Sequence, residues 1–334
     1  MTEASIVKQP RLGFLGVGWI GRHRMEAIIS ANIATVAGIA DPSPEMMEAA
    51  RTLAPEAASV SDLDELLDLD LDGVVIATPS AMHAEQSIRA LDRGVAVFCQ
   101  KPLGRTAVEV EQVLATAKRA DRLIAVDLSY RYTRGMRHIR ELVQSGELGE
   151  IYAAELVFHN AYGPDKGWFY DPMLAGGGCV MDLGVHLVDL ALWTLNFPAV
   201  TEVRGHLLAG GKPLPSHPAE VEDYADATLR LETGAVVRLA CSWRLQAGLD
   251  ASISAAFYGT QGGAALRNVD GSFYDFIAER YSGTARECLA SPPDAWGGRA
   301  AVDWAMQLAK SPRFDPTAER LLQVSEVLDR IYGR

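Results

Sequence analysis

The chain has 334 residues, 49% of them apolar and 22% charged, and its 31 basic and 43 acidic side chains leave a net charge of −12. That length accommodates two domains with a core each. The acidic balance excludes nucleic acid and anionic membrane as main partners, because both demand a basic footprint. No apolar run approaches the roughly 20 residues of a spanning helix. Met1–Ser5 lacks the basic and apolar regions of a secretory signal, so a cytoplasmic location is expected.

The first 125 or so residues alternate strand and helix patterns. Apolar runs at Arg11–Val17, Thr35–Ala40, Asp72–Pro79, Val95–Cys99 and Leu123–Val126 read as strands. Helical spacing lies between them, at Trp19–Ile29, Glu45–Leu53 and His83–Arg93. Strands alternating with helices predict a doubly wound parallel sheet, placed over residues 1–128. The stretch Ser61–Asp72 carries six acids and no base; leucines at apolar spacing among them make it a solvated helix face. Residues 129–334 change texture. Helices are expected at Tyr130–Ser145 and Met181–Leu195, and strands at Gly149–Phe158, Val221–Leu231, Ala235–Arg244 and Ala251–Tyr258. Hairpin turns between the later strands predict an α+β domain on a largely antiparallel open sheet. A last helix, about Pro316–Tyr332, is placed to pack back on the first domain. Cys99, Cys179, Cys241 and Cys288 form no C-x-x-C or zinc pattern; Cys99 and Cys179 read as small buried hydrophobes.

Gly16-Val-Gly18-Trp19-Ile20-Gly21 follows the first strand and opens the first helix. The glycines permit a tight turn, close backbone approach to a pyrophosphate and close helix–strand contact. Asp41 ends the second strand 20 residues beyond Gly21, placed to bind ribose hydroxyls. Its carboxylate repels a 2′-phosphate, so NAD is expected, with NADP as the alternative should Arg22 or Arg24 reach round. Lys101, in Gln100-Lys101-Pro102, follows the strand Val95–Cys99 and points into the ligand crevice at the carboxyl ends of the strands. Asp182 and His186 sit i and i+4 behind three glycines, on one helix face. With no third ligand, this pair is not expected to hold a metal.

These motifs resemble the glucose–fructose oxidoreductase and inositol dehydrogenase family of NAD(P)-dependent sugar and polyol oxidoreductases. The matching pieces are Gly16–Gly21, Ala77–Ser80 with His83, Lys101-Pro102, Tyr130–Tyr132, Ser145–Ile151, Trp168–Pro172 and Gly176–His186. The resemblance implies a Rossmann domain followed by a domain whose sheet carries the substrate site and the contacts of a homodimer or homotetramer. It makes Lys101, Asp182 and His186 catalytic, and places Thr78, Pro79, His83 and Gln100 beside the nicotinamide and its ribose, with Gly16, Gly18, Trp19, Ile20 and Asp41 on the rest of the cofactor. Arg131, His159, Trp168 and Asp182 are the substrate-binding candidates. The substrate implied is a small hydroxylated molecule. Gln100 departs from the family's glutamate, which takes a negative charge away from beside Lys101. Two competing readings are a non-catalytic dinucleotide-binding regulator or scaffold, and an NAD-using lyase or glycosidase without net redox.

Overall fold

A computed structural model describes residues 9–215 and 219–334 and divides them into two compact units. The first comprises the described part of Met1–Gly104 with Val108–Asp127 and Gly298–Glu319; the second comprises Arg105–Ala107, Leu128–Gly297 and Arg320–Arg334.

The first unit runs β1 (Arg11–Leu15), α1 (Trp19–Ser30), β2 (Thr35–Ala40), α2 (Pro44–Leu53), β3 (Ala58–Val60), α3 (Leu63–Leu67), β4 (Gly73–Ile76), α4 (Ser80–Asp92), β5 (Ala96–Cys99), α5 (Ala107–Ala120) and β6 (Ile124–Val126). The strands form one parallel sheet in the order β3-β2-β1-β4-β5-β6, the doubly wound topology expected. β4 and β5 are buried at every residue, as a sheet covered on both faces requires. The acidic stretch folds into α3, which buries Leu63, Leu66 and Leu67 and turns Asp64 and Asp68 outward to Arg89 and Arg93 of α4 and its C-cap. β3 and α5 were not separated by sequence pattern. β3 is too short to show a period, at three residues.

The second unit contains α6 (Arg134–Gln144), β7 (Ile151–Asn160), α7 (Pro172–Ala175), α8 (Val185–Thr194), β8 (Val200–Ala209), β9 (Lys212–Pro213), β10 (Tyr224–Leu231), β11 (Val236–Ser242), β12 (Ala251–Gly259), β13 (Gly263–Asn268), β14 (Phe276–Ser282) and β15 (Ala285–Ala290). Its nine strands are ordered β15-β14-β13-β12-β7-β11-β10-β8-β9, antiparallel except where β7 meets β11. One face packs on helices: Leu156, Phe158, Leu229, Val237, Leu239, Ile253 and Phe257 are buried there. The other face carries Glu155, Arg238, Asp226, His206, Arg267 and Glu279, which pair across strands. The alternation is the period of two that sets a half-buried sheet. Cys99, Cys179 and Cys241 are buried and Cys288 exposed; burial pushes the Cys99 thiol up to about 12.

Three expectations are corrected. The helix predicted from Tyr130 is interrupted at Thr133, whose side chain accepts from Met136 N–H and restarts the chain as α6. The segment Pro172–Thr194 is long and apolar enough by composition to cross a membrane, yet most of it is buried as a core element of the second unit. The last helix, α10 (Arg320–Tyr332), belongs to the second unit, where Arg330 donates to the carbonyls of Val200 and Thr201 on β8. The helix that returns to the first unit is α9 (Arg299–Lys310). Its Trp304, 1% exposed, packs its ring 5.6 Å from that of Phe98 on β5. Truncation to Trp304→Ala leaves a large cavity under β5 and is expected to cost about 3–5 kcal/mol, measured as a loss of urea unfolding free energy at unchanged secondary structure.

Candidate active site

In the first unit, Gly16 has φ +83°, a left-handed conformation that disfavours any Cβ, and a Cβ on Gly21 would lie 2.1 Å from the Gly16 carbonyl oxygen. α1 begins at Gly18 with no side-chain cap and no acid in its first turn. Its first N–H groups are left for a ligand, and the positive end of the helix faces the same place. Asp41 braces the loop from β2: its Oδ2 accepts from Val17 N–H and its Oδ1 from Ser43 N–H, both at 2.8 Å. Each oxygen keeps a second lone pair for a ribose hydroxyl. The cradle therefore fits a dinucleotide, and Gly16, Gly18, Asp41 and the N-terminus of α1 are the groups that would hold it. Trp19 is 59% exposed and stacks on His23, and Ile20 is half-buried beside it.

Beyond β4, Thr78 donates its hydroxyl to Gln86 Oε1 at 2.6 Å, and Pro79 caps α4. His83 is 1% exposed, with its two ring nitrogens each 2.7 Å from a backbone carbonyl, of Pro102 and of Thr78. Burial pushes its pKa down against the pull of those carbonyls. His83 thus fastens the loop after β4 to the one carrying Lys101. Gln100 is buried and donates its amide Nε2 to Asp127 Oδ2 at the end of β6. The group against the Gln100 amide is therefore a carboxylate, that of Asp127. Arg24 is also buried and bonded to Asp127 at 2.5 Å, so it does not reach toward a 2′-phosphate.

In the second unit, Asp182 lies in a π-helical turn, Val180–Gly184, that leads into α8. Such wide turns are uncommon and concentrate at functional sites. The sequence pattern gave a plain helix here. One buried carboxylate oxygen, Glu222 Oε1, fixes the turn: it accepts from Gly178 N–H and Val180 N–H at 2.9 Å and from the Tyr332 hydroxyl at 2.8 Å. Burial raises the Glu222 pKa against these donors. Trp243, just past β11, donates its indole N–H to Asp182 Oδ2 at 3.0 Å. His186, 7% exposed, lies edge-on to Tyr130 with ring centroids 4.9 Å apart, and 6.4 Å from Phe158. Trp168 stacks on Phe169 at 3.8 Å, and Phe169 meets Trp243 edge-on, which joins Trp168 to the surroundings of Asp182.

Two substrate candidates fall elsewhere. His159 points to the sheet face opposite Phe158, where it is hydrogen-bonded to Ser242 Oγ at 2.7 Å and stacked on Tyr224; burial lowers its pKa. Arg131 gives its guanidinium to both oxygens of buried Asp189 and packs it over Trp193 and Phe197, so its charge is neutralised within the unit. Burial raises the Asp189 pKa against that attraction. Two further residues lie on the helix-covered face of the sheet. Asn160 shares the Phe158 face by strand alternation, and its side-chain oxygen is buried without a partner. Trp243 continues the alternation of Val237, Leu239 and Cys241 on the helix-covered face. Among the described residues no cluster of His, Cys, Asp and Glu has the makings of a metal site.

Comparison with known proteins agrees with these features. Residues 11–128 match the model of the oxidoreductase family with an NAD-binding Rossmann fold, and residues 136–265 match the GFO/IDH/MocA C-terminal domain. A putative UDP-kanosamine synthase oxidoreductase subunit of Amycolatopsis mediterranei is 32% identical over 260 residues, 73% of this chain and 71% of that one. D-Glucoside 3-dehydrogenase of Escherichia coli K12 is 30% identical over 231 residues, 65% of this chain and 66% of that protein. Among solved structures, levoglucosan dehydrogenase in complex with NADH and levoglucosan superposes with a TM-score of 0.82 at 21% identity, over 98% of this chain and 97% of that one. That likeness is one of fold. The dinucleotide cradle, the two matched domain models and the relatives at 30% identity or more together show that the chain belongs to the GFO/IDH/MocA family of NAD(P)-dependent oxidoreductases.

Proposed function

We propose that the protein oxidises a ring hydroxyl of a sugar or closely related polyol, or runs the reverse reduction, with Lys101, Asp182 and His186 acting on the reacting hydroxyl. The observation that carries this reading is the π-helical turn. It holds Asp182 half-buried and hydrogen-bonded to Trp243, and leads directly into the turn of α8 that carries buried His186. A carboxylate and an imidazole fixed a turn apart suit proton transfer at a hydroxyl, a step worth about 10²–10⁴-fold. The names of the relatives, D-glucoside 3-dehydrogenase and 1,5-anhydro-D-fructose reductase among them, support the substrate class.

A dinucleotide held by Gly16, Gly18, Asp41 and the N-terminus of α1 would supply the hydride acceptor. His186 takes the hydroxyl proton, and Asp182 orients the imidazole and stabilises its charged form. Lys101 hydrogen-bonds the same oxygen and offsets the charge that develops on it. Asn160 offers an acceptor to another hydroxyl of the ring, and Trp168 an apolar face. NAD is the preferred cofactor because the Asp41 carboxylate opposes a 2′-phosphate and Arg24 is committed to Asp127. The open sheet is the surface through which two copies associate. The ion pairs between its strands support a polar contact there rather than a bare apolar one.

The reading is tested by following nicotinamide reduction with hexoses, 1,5-anhydro sugars, alkyl glucosides and inositols, each with NAD and NADP. Accumulating NADH with at least one member is expected; consumption of substrate without NADH would assign a lyase instead. Lys101→Met is expected to lower turnover about 10²–10⁴-fold while NADH still binds, as read by fluorescence titration. Asn160→Ala is expected to raise KM about three- to tenfold, the scale of one hydrogen bond, whereas His159→Ala on the opposite face leaves KM within about twofold.

A further inference from the structure

The mechanism above leaves one buried ionic cluster unused. Arg24, Asp127 and Gln100 are 5%, 1% and 8% exposed. Asp127 Oδ2 accepts both the Arg24 Nε–H, at 2.5 Å, and the Gln100 amide Nε2–H. Asp127 Oδ1 is buried with no partner, and the other end of Arg24 faces His23 Nδ1 at 2.8 Å. A buried ion pair is poor value for folding, because well-packed apolar residues of similar volume stabilise as well or better. An orphaned carboxylate oxygen adds to that cost. The cluster also stands where ligands bind in open parallel sheets: Gln100 follows β5 and Asp127 follows β6, at the carboxyl ends of the strands. These strands belong to the half of the sheet across β1 from Asp41, the half that takes the second nucleoside of a dinucleotide.

We infer that Asp127, held by Arg24, is a positioning residue for the nicotinamide side of the cofactor: it fixes the flip of the Gln100 amide, so that Gln100 presents its carbonyl oxygen and not its NH₂ to a ribose hydroxyl. An amide has one donor end and one acceptor end, and a carboxylate receives only the donor end. With Nε2 on Asp127, Oε1 is the end left for the ligand. The same geometry dictates that residue 100 be uncharged. A carboxylate there would meet the Asp127 carboxylate directly, and Arg24 already serves Asp127. On this inference the acid and the amide are exchangeable as a pair, and neither of them is replaceable alone.

This inference rests on the dinucleotide reading, so the experiment begins with NADH binding by the wild-type protein, measured by fluorescence titration, with ADP as a probe of the adenosine side alone. Gln100→Glu and Asp127→Asn are each expected to weaken NADH binding at least tenfold, with ADP affinity changed by less than twofold. The double variant Gln100→Glu/Asp127→Asn restores one acid and one amide in the same contact, and its NADH affinity is expected within about threefold of wild type, a strongly non-additive cycle. Where a single variant does not fold, the double variant decides: folded and binding NADH near the wild-type level supports the inference, and unfolded or more than tenfold weaker overturns it. Wild-type-like NADH binding by Gln100→Glu, or equal loss of NADH and ADP affinity, also overturns it. Absence of NADH binding by the wild type would overturn the cofactor reading together with it.

Discussion

Glycine-rich turns bring backbone close to a ligand, but they also leave amide hydrogens in need of acceptors and offer no side chains to hold the turn in place. In both units of this protein a carboxylate from a neighbouring strand solves that problem. Asp41 at the end of β2 receives the amides of Val17 and Ser43 and so sets the path of the loop that opens α1. Glu222, just before β10, receives the amides of Gly178 and Val180 and so sets the π-helical turn that carries Asp182. The paths of both glycine-rich turns depend on these two anchors.

The anchors differ in exposure, and that difference divides their work. Asp41 is half-buried and, beyond the two loop amides, each of its oxygens has a lone pair left that could meet a ribose hydroxyl. Glu222 is 1% exposed and fully occupied by two amides and the Tyr332 hydroxyl. It serves geometry alone, and α10 is tied to the turn through that hydroxyl. His83 plays a similar part in the first unit, with a buried ring bridging two carbonyls that belong to the loops after β4 and β5.

Local patterns made the dinucleotide half legible in the sequence. The glycines, the strand before them and Asp41 lie within about 30 residues, and the strand–helix alternation dictates a parallel sheet. Lys101, Asp182 and His186 were singled out by motif, although the spacing of Asp182 and His186 suggested a plain helix where the chain makes a π-turn. What could not be read depends on partners distant in sequence. Arg131 looked available because Asp189 lies 58 residues away. Nothing near Gln100 in sequence announces its partner Asp127, which lies just past β6, 27 residues on. His159 and Asn160 are adjacent, and a period of two states that they face opposite ways without stating which way the helices lie. The run of Val237, Leu239 and Cys241 did carry the signal that places Trp243 inward.

The central claim is that a hydride moves directly between a carbon-bound hydroxyl group of a small sugar and the nicotinamide ring, with this chain's residues handling only the proton. The most direct measurement uses a sugar substrate deuterated at the reacting carbon and mass spectrometry of the cofactor after a single turnover. The account predicts reduced cofactor carrying one deuterium at C4 of the nicotinamide and a ketosugar product in equal amount. Deuterium found in water, or in a rearranged sugar with the cofactor left oxidised, would contradict it.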